Sequence, residues 1–143
     1  MSDRILRELY LPHPPQDVWR ALTESEAMAE WLMPNDFEAR VGHRFTLRSQ
    51  PKPHAGLDGL IHCEVLECDA PARLAYSWAA AGVDTRVSYR LEPEGEGTRL
   101  FFEQSGFDFS QPRGRTARRG AEYVWGRMLG ALEGVLERRS RPA

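Results

Sequence analysis

Residues 85–106 read TRVSYRLEPEGEGTRLFFEQSG. Two alternating runs flank a turn. In the first, Thr85, Val87, Tyr89 and Leu91 face one way, and Arg86, Ser88, Arg90 and Glu92 face the other. In the second, Thr98, Leu100, Phe102 and Gln104 share a face. A period of two marks a half-buried strand, because successive side chains leave it on opposite sides. PEGEG at 93–97 supplies the glycines and proline of a hairpin turn. One face is apolar and the other charged, which predicts an antiparallel sheet covered on one side only.

The same period extends upstream. RLAYSW (73–78) groups Leu74, Tyr76 and Trp78, and AAAGVD (79–84) reads as the turn that follows. GLIHCEVLE (59–67) sets Ile61, Cys63 and Val65 against His62 and Glu64. GHRFTLR (42–48) pairs Phe45 with Leu47, and QPKPHAGLDG (50–59) is a loop by its prolines and glycines. RILRELYL (4–11) is a less regular first strand, with Ile5, Arg7, Leu9 and Leu11 on one side. Strands adjacent in sequence predict a meander.

Helical signals lie at both ends of this block. Pro14 and Pro15 suit a helix's first turn, and PQDVWRAL (15–22) then puts Val18, Trp19 and Leu22 on one side. TESE, from Thr23 to Glu26, has capping-box spacing and predicts a second short helix over 24–32, stopped by Pro34. Met28, Trp31 and Leu32 share its face. From Ala117 to Leu136 the apolar positions follow a helical stripe, predicting a cover helix of about 23 residues, ~35 Å long.

The chain has 143 residues, 41% apolar and 28% charged, with net charge −2. That length predicts a single domain over 1–143. The charge gives no general attraction to nucleic acid or anionic membrane. No apolar stretch reaches the ~20 residues of a membrane span, and the charged N-terminus is no signal peptide, so a cytoplasmic location is expected. Cys63 and Cys68 are five apart in one strand, which points them to opposite faces and argues against a mutual disulfide. His13, His43, His54 and His62 lack ligand spacing, so no metal is expected.

In order along the chain, VWRALTESEAMAEWLMP (18–34), VGHRF (41–45), GLIHCEVLECDAPARLAYSW (59–78), GEGTRLFFEQSGF (95–107) and Trp125 with Leu129 carry a family likeness. The chain resembles the bacterial single-domain members of the activator-of-heat-shock-protein-90-ATPase-homologue-like family. That family belongs to the START-like (SRPBCC), birch-pollen-allergen-like superfamily. His43 departs from its pattern, where members commonly carry a second glycine. The resemblance implies an α+β helix-grip fold: a curved antiparallel sheet of about six strands, two short helices, and a long C-terminal helix packed across it over a cavity. It does not choose an activity, because the superfamily holds carriers, binders, cyclases and co-chaperone domains. The co-chaperone that names the family uses a further N-terminal domain for its chaperone contact, which 143 residues do not accommodate.

Trp31, Phe45, Trp78, Phe102, Phe107, Trp125 and Met128 are expected to converge between sheet and helix, joined by Phe37, Ile61, Tyr76, Tyr89 and Gln104. Aromatic rings and thioethers line apolar ligand sites, and they fill closed cores equally well. Gln104 sits on the apolar face, where its amide bonds either a backbone group or a ligand's polar head. Cys63 faces inward without a base, because adjacent His62 points away, so it reads as a structural thiol. Asp36 is a lone carboxylate near the break. The arginines at 113, 115, 118, 119, 127, 138, 139 and 141 lack a companion set of stacking aromatics, so nucleic-acid binding is not expected. The sequence thus points to a domain binding a hydrophobic or amphipathic small molecule, with no metal or redox cofactor and no catalytic residue assigned. The alternatives are a cyclase- or dehydratase-type enzyme and a stress- or chaperone-linked interaction module, including a homodimer, using Phe101, Tyr123 or Val124.

Overall fold

The computed structural model describes residues 3–51, 58–80 and 82–140. Along the chain come β1 (Arg4–Leu11), α1 (Pro15–Thr23), α2 (Ser25–Trp31), β2 (Arg44–Arg48), β3 (Leu60–Asp69), β4 (Arg73–Ala80), β5 (Val83–Glu94), β6 (Gly97–Ser105) and α3 (Pro112–Ser140). One antiparallel sheet holds the strands in the order β1-β6-β5-β4-β3-β2. From β2 to β6 it is the expected meander. β1 joins the far side against β6, so the segment carrying α1 and α2 spans the two edges of the sheet. Residues 52–57 of the expected loop lie outside the described residues.

Burial follows the alternation. Val87, Tyr89, Leu91, Leu100, Phe102 and Gln104 are buried, as are Ile5 and Leu11 on β1, while Leu6 on the other face is exposed. The turns are tighter than the sequence suggested. β4 and β5 run on until Ala80 opposes Val83, and Gly82 at φ +79° helps close the hairpin. Gly95 at φ +59° does the same where Glu94 opposes Gly97.

Three local expectations change. Thr23 does not cap α2: it ends α1, and its hydroxyl donates to the Trp19 carbonyl at 2.7 Å. That i−4 bond occupies the group a cap would need, and Glu24 stands at the cap without a side-chain capping bond. In β3, a bulge between Val65 and Glu67 shifts the register by one. Cys68 therefore opposes inward-facing Leu74 and packs partly buried against the core, rather than on the face opposite Cys63. Both cysteines remain free thiols. Lastly, α3 begins at Pro112, five residues before its apolar stripe. Asp108 accepts hydrogen bonds from the Ser110 N–H and hydroxyl at 2.9 and 2.6 Å, a turn that delivers Pro112 to the first helical position. Gly114 is buried where an added Cβ would collide with the Asp108 carbonyl.

The two halves of α3 differ. Trp125, Met128, Leu129, Leu132, Val135 and Leu136 are buried, whereas Gly114 is the one buried residue before Trp125. Charge fastens both ends. Arg139 donates to Glu24 at 2.9 Å, and Arg138 reaches Glu30 at 3.5 Å. At the other end Arg118 bonds Glu122 at 2.8 Å and the Arg4 carbonyl on edge strand β1 at 3.0 Å. These arginines tie α3 to α1, α2 and β1 instead of simply pointing into solvent. Exposed pairs of this kind contribute about 0–1 kcal/mol each.

Candidate functional site

Between sheet and helix runs a chain of rings. Phe37 meets Phe45 at 5.0 Å between centroids, Phe45 meets Tyr76 at 5.2 Å, and Tyr76 meets Tyr89 at 5.8 Å. Tyr89 then meets Phe102 at 5.5 Å, Phe102 meets Trp125 at 4.2 Å, and Trp125 meets Trp78 at 5.3 Å. Trp31 joins from α2, edge-on to Tyr89 at 6.4 Å. Phe37 is delivered by a turn built on Asn35, whose Oδ1 accepts from the Phe37 N–H at 3.0 Å and whose Nδ2 donates to the Met33 carbonyl at 2.9 Å. Eleven of the twelve residues singled out from sequence belong to one core cluster or pack against it, including Ile61, Phe107 and Met128, and the twelfth, Gln104, is buried beside it. Of the twelve, Trp78 alone is only half-buried. Met33, at the helix break, is half-buried against the same cluster.

Two polar groups interrupt this apolar interior. Tyr76 lies opposite Val87 on β5, and Tyr89 lies two residues further on, so the tyrosines are diagonal neighbours. Their hydroxyls are 2.7 Å apart. Burial pushes both phenols well above their ordinary pKa, so both are neutral at physiological pH. Two hydroxyls carry two hydrogens, and one O···O contact uses one. Among the described residues neither hydroxyl has a second hydrogen-bond partner. Leaving such a donor unpaired in a core costs about 1–3 kcal/mol.

Gln104 lies on the other side of Val87 from Tyr76: it opposes Val87 from β6, and Thr85 is a diagonal neighbour. Its bonds are made within the protein. The Trp125 indole N–H donates to Gln104 Oε1 at 2.8 Å, Gln104 Nε2 donates to Thr85 Oγ1 at 2.9 Å, and Thr85 donates to the Trp78 carbonyl at 3.1 Å. This relay links α3 to β6, β5 and β4. Sequence reasoning placed Thr85 inward without giving it a role. A hydroxyl on the apolar face one diagonal step from a buried amide was the available signal.

The remaining groups have structural roles. Trp31 Nε1 donates to the Ala21 carbonyl at 2.8 Å, which locks α2 to α1. The Cys63 thiol is pushed up to about 12 by burial and, secondarily, by the Asp36 charge, which leaves it protonated and inert. Asp36 is exposed, and its Oδ1 accepts from the Thr46 N–H on edge strand β2 at 2.7 Å. His43 is no freely solvated side chain: its Nε2 bonds the Asp36 carbonyl at 2.9 Å and its ring stacks on Phe45. A groove of about 420 Å³ lies at β2–β4, lined by the polar Asp36, Arg44, His62 and Glu64 and also by Phe45 and Cys63. It is open and largely polar, and it touches the ring chain at Phe45. Among the described residues no group of three His, Cys, Asp or Glu is placed to hold a metal ion.

The family model for Activator of Hsp90 ATPase homolog 1-like protein matches residues 12–137. The chain belongs to this family. Among solved structures, the protein MLL2253 from Mesorhizobium loti is 35% identical, with a TM-score of 0.84, covering 96% of this chain and 99% of its own. BH1534 from Bacillus halodurans is 26% identical with a TM-score of 0.75, covering 93% of this chain and 96% of its own. CalU16 from Micromonospora echinospora shares the fold, at 24% identity and a TM-score of 0.76, covering 98% of this chain and 76% of its own. No curated protein matches the chain. Membership of the family and a six-stranded helix-grip fold are thus established together. None of the described helices is long and apolar enough to cross a membrane.

Proposed function

We propose that this family member binds a hydrophobic small molecule between the sheet and α3, held by the ring chain from Phe37 to Trp125. The observation that carries this reading is Trp78. It faces inward against Trp125, yet it is only partly buried while the rings beyond it are buried. Other half-buried apolar side chains belong to the same end: Ala80 and Val83 from the β4–β5 hairpin, Phe109 before α3, and Ala117 and Ala121 on it. Gly82 at the hairpin tip lies against the Arg113 side chain near the start of α3. The lightly packed half of α3 and this hairpin form the entrance in this reading, and the ring chain forms the wall.

The interior favours binding over acid–base catalysis. A general acid or base works best with a pKa near the operating pH. Burial moves Tyr76, Tyr89 and Cys63 upward, away from it. An interaction module needs bare apolar surface, and Phe101 lies under the Arg90 guanidinium, 4.1 Å from its ring centroid. Tyr123 and Val124 are exposed on α3.

Titration with Nile red tests the reading. The folded protein should bind the dye saturably at 25 °C, and Trp78→Ala should change the affinity more than the melting temperature. Binding that appears only as the protein melts would show a closed core and sink the proposal.

A further inference from the structure

We infer that the Tyr76–Tyr89 hydroxyl pair is the polar recognition point of the interior, donating one hydrogen bond to the acceptor oxygen of a neutral, otherwise apolar ligand. The inference deepens the proposed binding site and rests on it. Its basis is the hydrogen count. The two hydroxyls spend one hydrogen on their 2.7 Å contact, and among the described residues no second partner takes the other. Gln104, the nearest comparable group, has its carbonyl engaged by Trp125 and one of its two amide hydrogens by Thr85. The phenolic hydrogen is the more acidic donor of the two groups, and it lies among Trp31, Phe37, Phe45, Phe102 and Trp125.

The surroundings also fix the ligand's charge. The buried polar side chains among the described residues are Thr85, Thr98 and Gln104, so no lysine, arginine or histidine is buried to neutralise an anion. An unpaired carboxylate brought here would lose its hydration without compensation. A carbonyl or ether oxygen loses far less and can accept the phenol hydrogen. The fitting class is thus a neutral ketone, ester or ether on an apolar frame, with free carboxylic acids excluded at neutral pH.

Three naphthalenes of similar shape test this, carrying an ethyl, an acetyl or a carboxylate group at the same ring position. Wild-type protein should bind the acetyl compound about five- to tenfold more tightly than the ethyl compound, the worth of one hydrogen bond. The carboxylate should not compete. In the double variant Tyr76→Phe/Tyr89→Phe the acetyl-to-ethyl ratio should fall to about one while the melt stays cooperative. A ratio near one in wild type overturns this inference alone, since both probes still bind. So does a preference that survives in the double variant, or competition by the carboxylate. Failure of both neutral probes to bind overturns the site itself. If the double variant does not fold, the infrared carbonyl band of the acetyl probe on wild type decides. A shift to lower frequency than in alkane supports the donor, and an unshifted band refutes it.

Discussion

The Gln104 relay and the Tyr76–Tyr89 pair sit two residues either side of Val87 on β5, in the same apolar interior, and they differ in reach. The relay crosses layers. It runs from an indole on α3 through an amide on β6 and a hydroxyl on β5 to a carbonyl on β4, and each named hydrogen reaches an acceptor. The pair stays within two neighbouring strands and leaves one hydrogen over. A buried network that crosses layers fixes the position of the elements it joins, because moving any one of them orphans a polar group. One confined to two neighbouring strands holds fewer elements in place. Sheet geometry makes both from one rule, the diagonal contact between adjacent strands. Only the relay also has a partner from the helix layer.

The largest effects should come from removing the helix that the relay depends on. Deleting residues 113–143 leaves the sheet's apolar face in water, and no cooperative melt should remain. A sharp transition for the truncated chain would show that the sheet and the two short helices suffice. Trp125→Ala should cost about 3–5 kcal/mol in denaturant unfolding, since it removes a ring in contact with Phe102, Tyr89 and Trp78. It also takes away the donor to Gln104.

Smaller substitutions separate the two networks. Gln104→Leu leaves the Trp125 N–H buried and unpaired, which should cost about 1–3 kcal/mol. Adding Trp125→Phe should recover part of that loss, because the orphaned donor goes as well. A double variant no more stable than Gln104→Leu would mean that the relay carries packing only. Tyr76→Phe/Tyr89→Phe removes both partners of an already incomplete pair, and it should fall within about 1 kcal/mol of wild type. A loss as large as that of Gln104→Leu would make the two networks equivalent and remove the contrast.

The sequence exposed the sheet, the cover helix and the inward face, because alternation and helical period report burial directly. Tyr76, Tyr89 and Gln104 were visible as polar atoms on that face for the same reason. Their partners were not. Which diagonal neighbour a hydroxyl meets depends on register, and the hairpins β4–β5 and β5–β6 set that register through turns two residues shorter or more than the composition suggested. The bulge at Val65–Glu67 had no compositional mark, so the facing of Cys68 could not be read. The start of α3 was hidden because its first turns are polar and are set by Asp108, Ser110 and Gly114 rather than by an apolar stripe.

The last difference is absent at neutral pH and appears in alkali. Burial raises the phenol pKa of Tyr76 and Tyr89 above the ordinary value of about 10 that the unfolded chain restores. Between those values the folded protein holds protons that the unfolded chain releases. Stability contributed by keeping these groups neutral is therefore full below pH about 10 and is lost as pH rises beyond it. The Cys63 thiol, raised from 9.0 to about 12, acts in the same direction and starts one unit earlier. None of the relay's side chains titrates in this range. Denaturant unfolding of wild type, Gln104→Leu and Tyr76→Phe/Tyr89→Phe, each at pH about 7.5 and about 10.5, reads this directly. Wild type and Gln104→Leu should lose the same stability between the two conditions. The tyrosine double variant should lose less, keeping the part due to Cys63 and to Cys68, whose thiol burial also raises. Equal losses in all three would mean that the pair is not protected in the folded state, and the unspent hydrogen between these two strands would then be one that solvent already reaches.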